Sequence, residues 1–384
     1  MADQRLLIAN RGEIAIRIQR SAAERGYATI AVHGVDDAAS LHVRRADQAV
    51  ALPGRGAAAY LDVAAIVAAA RSAGASALHP GYGFLAEQAD FAAAVEAAGL
   101  VFVGPTVAQL ALFGDKLAAR RAAAEHGVPV LEASAGLDDL AALEAFRRSC
   151  GAGGSLILKA AAGGGGRGMR VVDAAADAAR LWQAARAEAE TAFGDGRVYA
   201  ERYVPRARHI EVQVLGDAHG AVTHLWERDC SVQRRHQKLI EIAPAPALDA
   251  ALRERLLDSA VRLAGAVGYR GLGTFEFLVD VITGEHFFIE ANARLQVEHT
   301  VTEAVLGLDL VALQLAVAEG ATLADLALTT PPRPRGCAVQ LRINAETLSA
   351  DGGTRAAGGT LTAFEPASGP GIRVDSAAGI GHVV

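Results

Sequence analysis

At 384 residues, 52% hydrophobic and with 41 glycines, the chain has room for two or three domains and a buried core, and its composition excludes a disordered or fibrous protein. A net charge of −6 argues against nucleic acid as the main partner, and Arg44-Arg45 and Arg147-Arg148 read as solvated faces. Cys150, Cys230 and Cys337 form neither a disulfide framework nor a zinc pattern. With no signal peptide and no charge-free stretch of membrane-spanning length, a reducing cytoplasm is the expected location.

A strand over 5–10, an amphipathic helix over 12–26 and a strand over 27–33 open the chain. A helix over 61–74, a strand over 75–79, a helix over 90–99 and a strand over 100–104 follow. This alternation predicts a parallel sheet with helices on both faces. The first strand leads into Asn10-Arg11-Gly12-Glu13, so the G-x-G-x-x-G turn of nicotinamide-binding folds is absent. HPGYGFLAE, residues 79–87, reads on its own as a tight loop around one aromatic plug, Tyr82.

Gly114-Asp115-Lys116 lies inside a helical pattern, where Lys116 alone is an ordinary exposed lysine. Residues 133–154 read as helix and then a Gly/Ser loop, and 156–159 as a short apolar strand ending in Lys159. Gly163 to Gly166 follow, then Arg167-Gly168 and a return to strand. A glycine run by itself is most often a linker. Between a strand lysine and an arginine it reads as a mobile flap whose backbone N–H groups approach phosphate.

Strands of alternating polarity cover 198–204 (VYAERYV) and 209–215 (HIEVQVL), and His209 and Glu211 read as an ordinary strand edge. ERDCSVQRRHQKLIE, residues 227–241, has the charge density of a solvated loop. Apolar strands flanking it, over 224–226 and 239–242, instead turn its charges toward a cleft. Cys230 within it reads as a small buried residue.

After a helix over 250–267, strands over 274–281 and 286–292 are joined through Thr283-Gly284 as a hairpin. That hairpin sets Glu276 nearly opposite Glu290, with Asn292 on the face of Glu290. At ~5 Å and an effective dielectric of ~20 the two carboxylates repel by roughly 3 kcal/mol. Phe275, Phe277, Leu278, Phe287, Phe288 and Ile289 crowd both faces, which disfavours a wet hairpin with solvated acids. A hard divalent cation, Mg²⁺ (or Mn²⁺), is the natural remedy, with Glu276, Glu290 and Asn292 as its ligands. Arg294, Gln296 and Glu298 follow at spacing two, ahead of His299, and on an extended segment they line one side. A cation, an amide and a carboxylate beside a metal pair suit a small anion and its proton. Pro331-Pro332-Arg333-Pro334-Arg335-Gly336 then marks a stiff boundary before CAVQLRINAE, a strand bearing Arg342.

FIEANARLQVEHTVTE resembles the active-site signature of biotin carboxylases, within the ATP-grasp superfamily. The similarity runs through IANRGEIAIRI, LHVRRADQAV, HPGYGFLAE, GDK, KAAAGGGGRGMRVV and ERDCSVQRRHQKLIE. It implies an α/β fold in three parts: a Rossmann-like parallel sheet over 1–112, an ATP-grasp domain over 113–332 with a mobile Gly-rich lid at about 132–203, and a β-rich C-terminal domain over 336–384 that is incomplete here.

The reaction implied is ATP-dependent carboxylation of biotin on a carrier protein or domain, with bicarbonate as carbon source. By this resemblance Lys116 and Lys159 meet the ATP phosphates under the lid glycines Gly165 and Gly166. Glu201 and the backbone through Arg202, Tyr203 and Val204 meet adenine and ribose, and His209, Gln233, His236 and Leu278 complete the nucleotide set. Lys238, Arg294, Gln296 and the Val297 backbone hold bicarbonate, and Glu298 is the base that prepares it for attack on the γ-phosphate. Carboxyphosphate then yields CO₂ and phosphate, which takes the ureido proton. Arg342 stabilises the enolate-like oxygen of biotin, and Tyr82 lies near its ring. A carboxyltransferase partner and a homodimer are implied as well.

The chain departs from the family pattern at Ile242, Ala291 and Ala293, the first expected to alter local charge pairing rather than chemistry. Two further readings are another acyl-phosphate-forming ligase, like carbamoyl phosphate synthetase, and a nucleotide-binding subunit with a structural role. HPGYGFLAE and Arg342 favour biotin over the former.

Overall fold

The computed structural model describes residues 4–134, 136–150, 155–162, 169–173, 177–350 and 353–383. The glycine flap, with Gly165 and Gly166, lies outside the described residues. Two compact units emerge: Met1–Gly104, Asp309–Gly320 and Leu341–Val384 form one, and Pro105–Leu308 with Ala321–Gln340 the other.

In the first unit the strands Arg5–Ile8, Ala28–His33, Gln48–Ala51, Ala77–His79 and Val101–Phe102 make a wholly parallel sheet, as the alternation predicts. Arg5–Ile8 is central, and Leu6, Leu7 and Ile8 are fully buried, as strands covered on both faces require. The helix Gly12–Glu24 follows directly. The loop that carries Tyr82 is anchored from the first strand's end: Asn10 Nδ2 donates to the carbonyls of Pro80 and Tyr82, both at 2.8 Å. Gly81 sits at φ +68°, and a Cβ there would stand 2.9 Å from Asn10 Nδ2, so only glycine fits under the clamp.

In the second unit a six-stranded sheet runs in the order His286–Asn292, Gly271–Asp280, Ala207–Gly216, Val222–Arg234, Gln237–Ala243, Ala338–Leu341. Two expectations are corrected here. Ala207–Gly216 is no edge: it is bonded on both sides, so His209 and Glu211 stand mid-sheet. The strands expected over 224–226 and 239–242 are longer: Val222–Arg234 and Gln237–Ala243 carry the charged stretch 227–241 as a β-hairpin turned at Arg235 and His236, whose φ values are +52° and +64°. Its charges are tolerated because the inward ones are paired with buried acids, so charge density did not mean solvation.

A second, three-stranded sheet (Arg170–Val172, Leu156–Ala160, Val198–Arg202) packs Leu156, Leu158 and Val198 against Trp182 of the helix Ala178–Phe193. The proline-rich stretch is not a free linker: Trp226 Nε1 donates to Pro332 O at 2.7 Å, and the unit continues to Gln340. Arg342 lies just past the strand Ala338–Leu341 rather than on it, and is half-buried. Among the described residues no single helix is long and apolar enough to cross a membrane.

Candidate active site

Gly271–Asp280 and His286–Asn292 pair in the expected register, with Glu276 opposite Glu290 and Thr274 opposite Asn292. The register shifts immediately beyond the acid pair, Phe277 meeting Phe288, so Ile289 is the extra residue of a bulge beside the two carboxylates. Neither acid is bare. Lys116 Nζ lies 2.9 Å from Glu290 Oε2. Glu276 takes Lys238 Nζ at 2.8 Å and His209 Nε2 at 2.7 Å, and its Oε1 also accepts from Asn292 Nδ2 and Gln296 Nε2 at 2.8 and 3.1 Å. Burial alone would raise the Glu276 pKa, but Lys238 and His209 more than offset it and hold the carboxyl well below its usual range. The chain's own cations thus relieve the repulsion that the bare ribbon would carry.

Lys238 is the hub. Its ammonium donates to Glu211, to Glu276 Oε1 at 2.8 Å and to Glu298 Oε1 at 2.8 Å, using all three N–H groups. Burial opposes its charge, yet Glu211, Glu276 and Glu298 push its pKa well above the ordinary lysine value. Behind it stands a pair that the sequence reading passed over. Glu211 and Arg228 are both fully buried, and Arg228 Nε donates to Glu211 while its other nitrogens reach Gln213 at 2.8 Å, Thr302 at 2.9 Å and Thr274 at 3.2 Å. Against the cost of burial, Lys238 and Arg228 bring Glu211 down to about 2. The available signal was polarity at 209, 211 and 213 on one strand face. Cys230 is buried beside the hub, its sulfur grouped with Glu211 and Glu298 oxygens within 4.8 Å, and burial followed by Glu211 drives its thiol pKa up.

A second ionic cluster surrounds Glu201, which is fully buried. Arg120 Nη1 lies 2.7 Å from Oε1, and Lys159 Nζ contacts Oε2. Burial raises the Glu201 pKa, but Lys159 and Arg120 outweigh it and lower the value. Asp115 is not inside a helix as expected: it caps Lys116–Glu125, its side chain accepting from Ala118 N at 2.9 Å, and ends the preceding helix Val107–Gly114. The new start puts Lys116 and Arg120 four residues apart on one helix face.

Of the remaining expected residues, Gln233 Nε2 meets His209 Nδ1 at 2.9 Å, and Leu278 pairs with His209 in register. His236 is exposed at its turn and is not brought into the cluster. Arg202 lies over the Phe287 ring at 5.5 Å, Tyr203 N donates to Ser155 O at 3.1 Å, and Val204 is buried. Arg294 Nη2 donates to Asn292 Oδ1 at 3.0 Å, with Gln296 Oε1 3.5 Å from its Nη1, and Val297 is half-buried beside them. In the first unit the Tyr82 hydroxyl donates to Glu13 Oε1. Burial and Asp375 push Glu13 up to about 7, against Arg373, Arg17 and Arg342.

Among the described residues, two groups bring three ligand atoms within 4.8 Å: His209, Glu211 and Glu276, and Glu211, Cys230 and Glu298. The oxygen-rich ribbon pair, Glu276 and Glu290 with the Asn292 amide, is the donor set whose chemistry fits a hard cation. The cluster as a whole offers cations and amide groups for an anionic substrate, and a buried carboxylate, Glu298, for its proton.

Residues 2–110 match the family described as Biotin carboxylase, N-terminal domain, and residues 115–326 match Carbamoyl-phosphate synthase L chain, ATP binding domain. A biotin carboxylase of Nostoc sp. is 47% identical over 379 residues, covering 98% of this chain and 83% of that protein. Pyruvate carboxylase 1 of Caenorhabditis elegans is 48% identical over 97% of this chain, which spans about a third (32%) of the length of that relative. The biotin carboxylase domain of Hydrogenobacter thermophilus 2-oxoglutarate carboxylase, solved with MgADP, ADP and bicarbonate, matches at TM-score 0.92 and 39% identity, covering 99% of this chain and 83% of that one. With the N-terminal domain match, a biotin carboxylase 47% identical and covered over 83% of its length, and a shared fold in agreement, the chain belongs to the biotin carboxylase family.

Proposed function

We propose that the chain carries out ATP- and bicarbonate-dependent carboxylation of biotin held on a carrier protein or domain. The observation that supports this most is the Lys238 ammonium shared by Glu276 and Glu298, with Arg294 and Gln296 alongside. It puts positive charge for a small anion next to the carboxylate that would take its proton. The Hydrogenobacter domain holds MgADP and bicarbonate, and the same ligand classes are proposed here.

In this reading Lys116 and Lys159 neutralise the phosphates of ATP, the main device in phosphoryl transfer. Mg²⁺ (or Mn²⁺) held by Glu276, Glu290 and Asn292 would add to that neutralisation when bound. The remaining nucleotide contacts fall to Gly165, Gly166, Glu201, Arg202, Tyr203, Val204, His209, Gln233 and Leu278, with His236 reaching the ligand from its exposed turn. Lys238, Arg294, Gln296 and the Val297 N–H hold bicarbonate while Glu298 accepts its proton.

The freed oxygen then forms a bond to the γ-phosphorus and ADP leaves, giving carboxyphosphate. Its C–O bond to the phosphoryl group breaks to release CO₂ and phosphate. That phosphate takes the ureido N–H proton of biotin, and the nitrogen bonds to CO₂. Arg342 holds the enolate-like ureido oxygen and Tyr82 borders the ring. Glu211 and Arg228 act through Lys238 as positioning residues.

The division into domains at 1–112, 113–332 and 336–384 is proposed on the same basis. So are a carboxyltransferase partner, a homodimer and a cytoplasmic location. The alternative acyl-phosphate ligase reading has the ATP-binding domain match in its favour, but the N-terminal match over 2–110 favours biotin. Steady-state ADP release with bicarbonate, with and without free biotin, tests the reading. Biotin-stimulated release is expected. Biotin-indifferent, bicarbonate-dependent release would support the other ligase, and nucleotide binding without turnover a structural subunit.

A further inference from the structure

Glu201 has no exposure and two cations, and these differ in kind. Arg120 is tied at both ends of its guanidinium: Nη1 to Glu201 Oε1 at 2.7 Å and Nη2 to the Leu131 carbonyl. That fork is planar, always charged and held by the rigid helix Lys116–Glu125. Lys159 approaches the other oxygen, Oε2, with a single ammonium on a flexible stem, from near the end of the strand Leu156–Ala160. One cation is held at two points and the other at one.

We propose that Arg120 is a positioning residue that keeps Glu201 neutralised, so that the Lys159 ammonium can leave the carboxylate for the phosphates of a bound nucleotide. The proposal rests on the reading of Lys159 as a phosphate ligand. Without Arg120, departure of Lys159 would strand a buried carboxylate with no adjacent counterion, which is strongly unfavourable. Lys159 would then stay locked on Glu201 and its charge would be lost to the ligand. Lys116, on the same helix face, is held by Glu290 at 2.9 Å in the free protein and is itself assigned to the phosphates in the bound one, so it does not take Arg120's place in either state. One face of one helix thus offers a lysine toward the ribbon and an arginine that holds the neighbouring sheet's acid in check.

The test is the ratio of ATP to adenosine affinity, which isolates the phosphate contribution and cancels changes at the adenine end. Arg120→Met should weaken ATP binding about ten-fold or more while adenosine changes by less than about three-fold, and Arg120→Lys should recover most of the ratio. Glu201→Gln placed in the Arg120→Met background should restore the ratio, because a neutral amide no longer retains Lys159. A ratio unchanged in Arg120→Met, or equal loss of ATP and adenosine affinity, would overturn the proposal. Should Arg120→Met not fold, the double variant is compared with Glu201→Gln alone: matching ratios are expected, and a further loss of about ten-fold would overturn it. Lys159→Ala separates the two layers, since an unchanged ratio there would remove the underlying reading of Lys159 itself.

Discussion

Glu276 and Glu290 stand opposite each other across a β-ribbon, and each is neutralised by a different lysine: Lys238 at 2.8 Å from the first, Lys116 at 2.9 Å from the second. The two lysines come from different elements, a hairpin strand and a helix start, so the acid pair is where separate parts of the second unit converge. Such an arrangement is stable without a ligand yet able to exchange partners. A polyanion can draw the lysines away, and a hard cation can take the released oxygens.

That exchange predicts a metal-dependent stabilisation. Saturating MgATP, at ~100 times its Kd, should stabilise the protein by ~2.7 kcal/mol, and EDTA should remove much of the gain. Glu290→Gln should bind ATP but lose most of the difference between Mg²⁺ and EDTA. Thermal unfolding with each ligand set reads this directly, and an undiminished Mg²⁺ increment in the variant would take Glu290 out of the metal set.

Glu298→Gln tests the proton acceptor. The amide fills the same space and cannot accept bicarbonate's proton, so biotin-dependent turnover should fall by ~10²–10⁴-fold while ATP affinity stays within about three-fold. Loss of nucleotide binding instead would assign Glu298 to the nucleotide.

Arg228 is a stability prediction. It is fully buried against Glu211, and its removal leaves that carboxylate with Lys238 as its adjacent cation. Arg228→Met should cost ~3–5 kcal/mol in urea unfolding, and Glu211→Gln in the same chain should return part of it. A cost below ~1 kcal/mol would show that the pair is not needed to hold the sheet together.

Some of this was legible in the chain and some was not, for identifiable reasons. The ribbon could be read because Thr283-Gly284 separates two short β-rich runs and alternation then fixes which residues oppose each other. The parallel sheet could be read from four short apolar runs alternating with helices, whereas its edge strand Gln48–Ala51 could not, being polar at its start and largely exposed. The pairs Arg228–Glu211 and Arg120–Glu201 could not be read, because they depend on which strands and helices become neighbours. The strands of the hairpin Val222–Arg234 and Gln237–Ala243 read too short in the sequence, at 224–226 and 239–242, because the inward face is itself charged and masks the alternation of polarity. Glu13 carried no sequence signal as a titrating group, since its shift arises from burial and from Asp375, far along the chain.

Glu13 gives the pH prediction. Its folded pKa is about 7, above an ordinary value near 4.5. Between these the native state keeps a proton that the unfolded chain has released, so stability falls as pH rises through that interval and levels off above about 7. The change should be no more than ~3 kcal/mol, since the group is partly exposed. Urea unfolding from pH 4 to 8 should show Glu13→Gln losing this slope and gaining on the parent at the alkaline end. Parallel curves for the two proteins would contradict the assignment.

The most direct test is transfer of labelled carbon from bicarbonate to free biotin in the presence of ATP and Mg²⁺. Labelled carboxybiotin should form, require ATP, and disappear with Glu298→Gln. ATP consumption without transfer of label to biotin, or label transfer that persists in Glu298→Gln, would contradict the account.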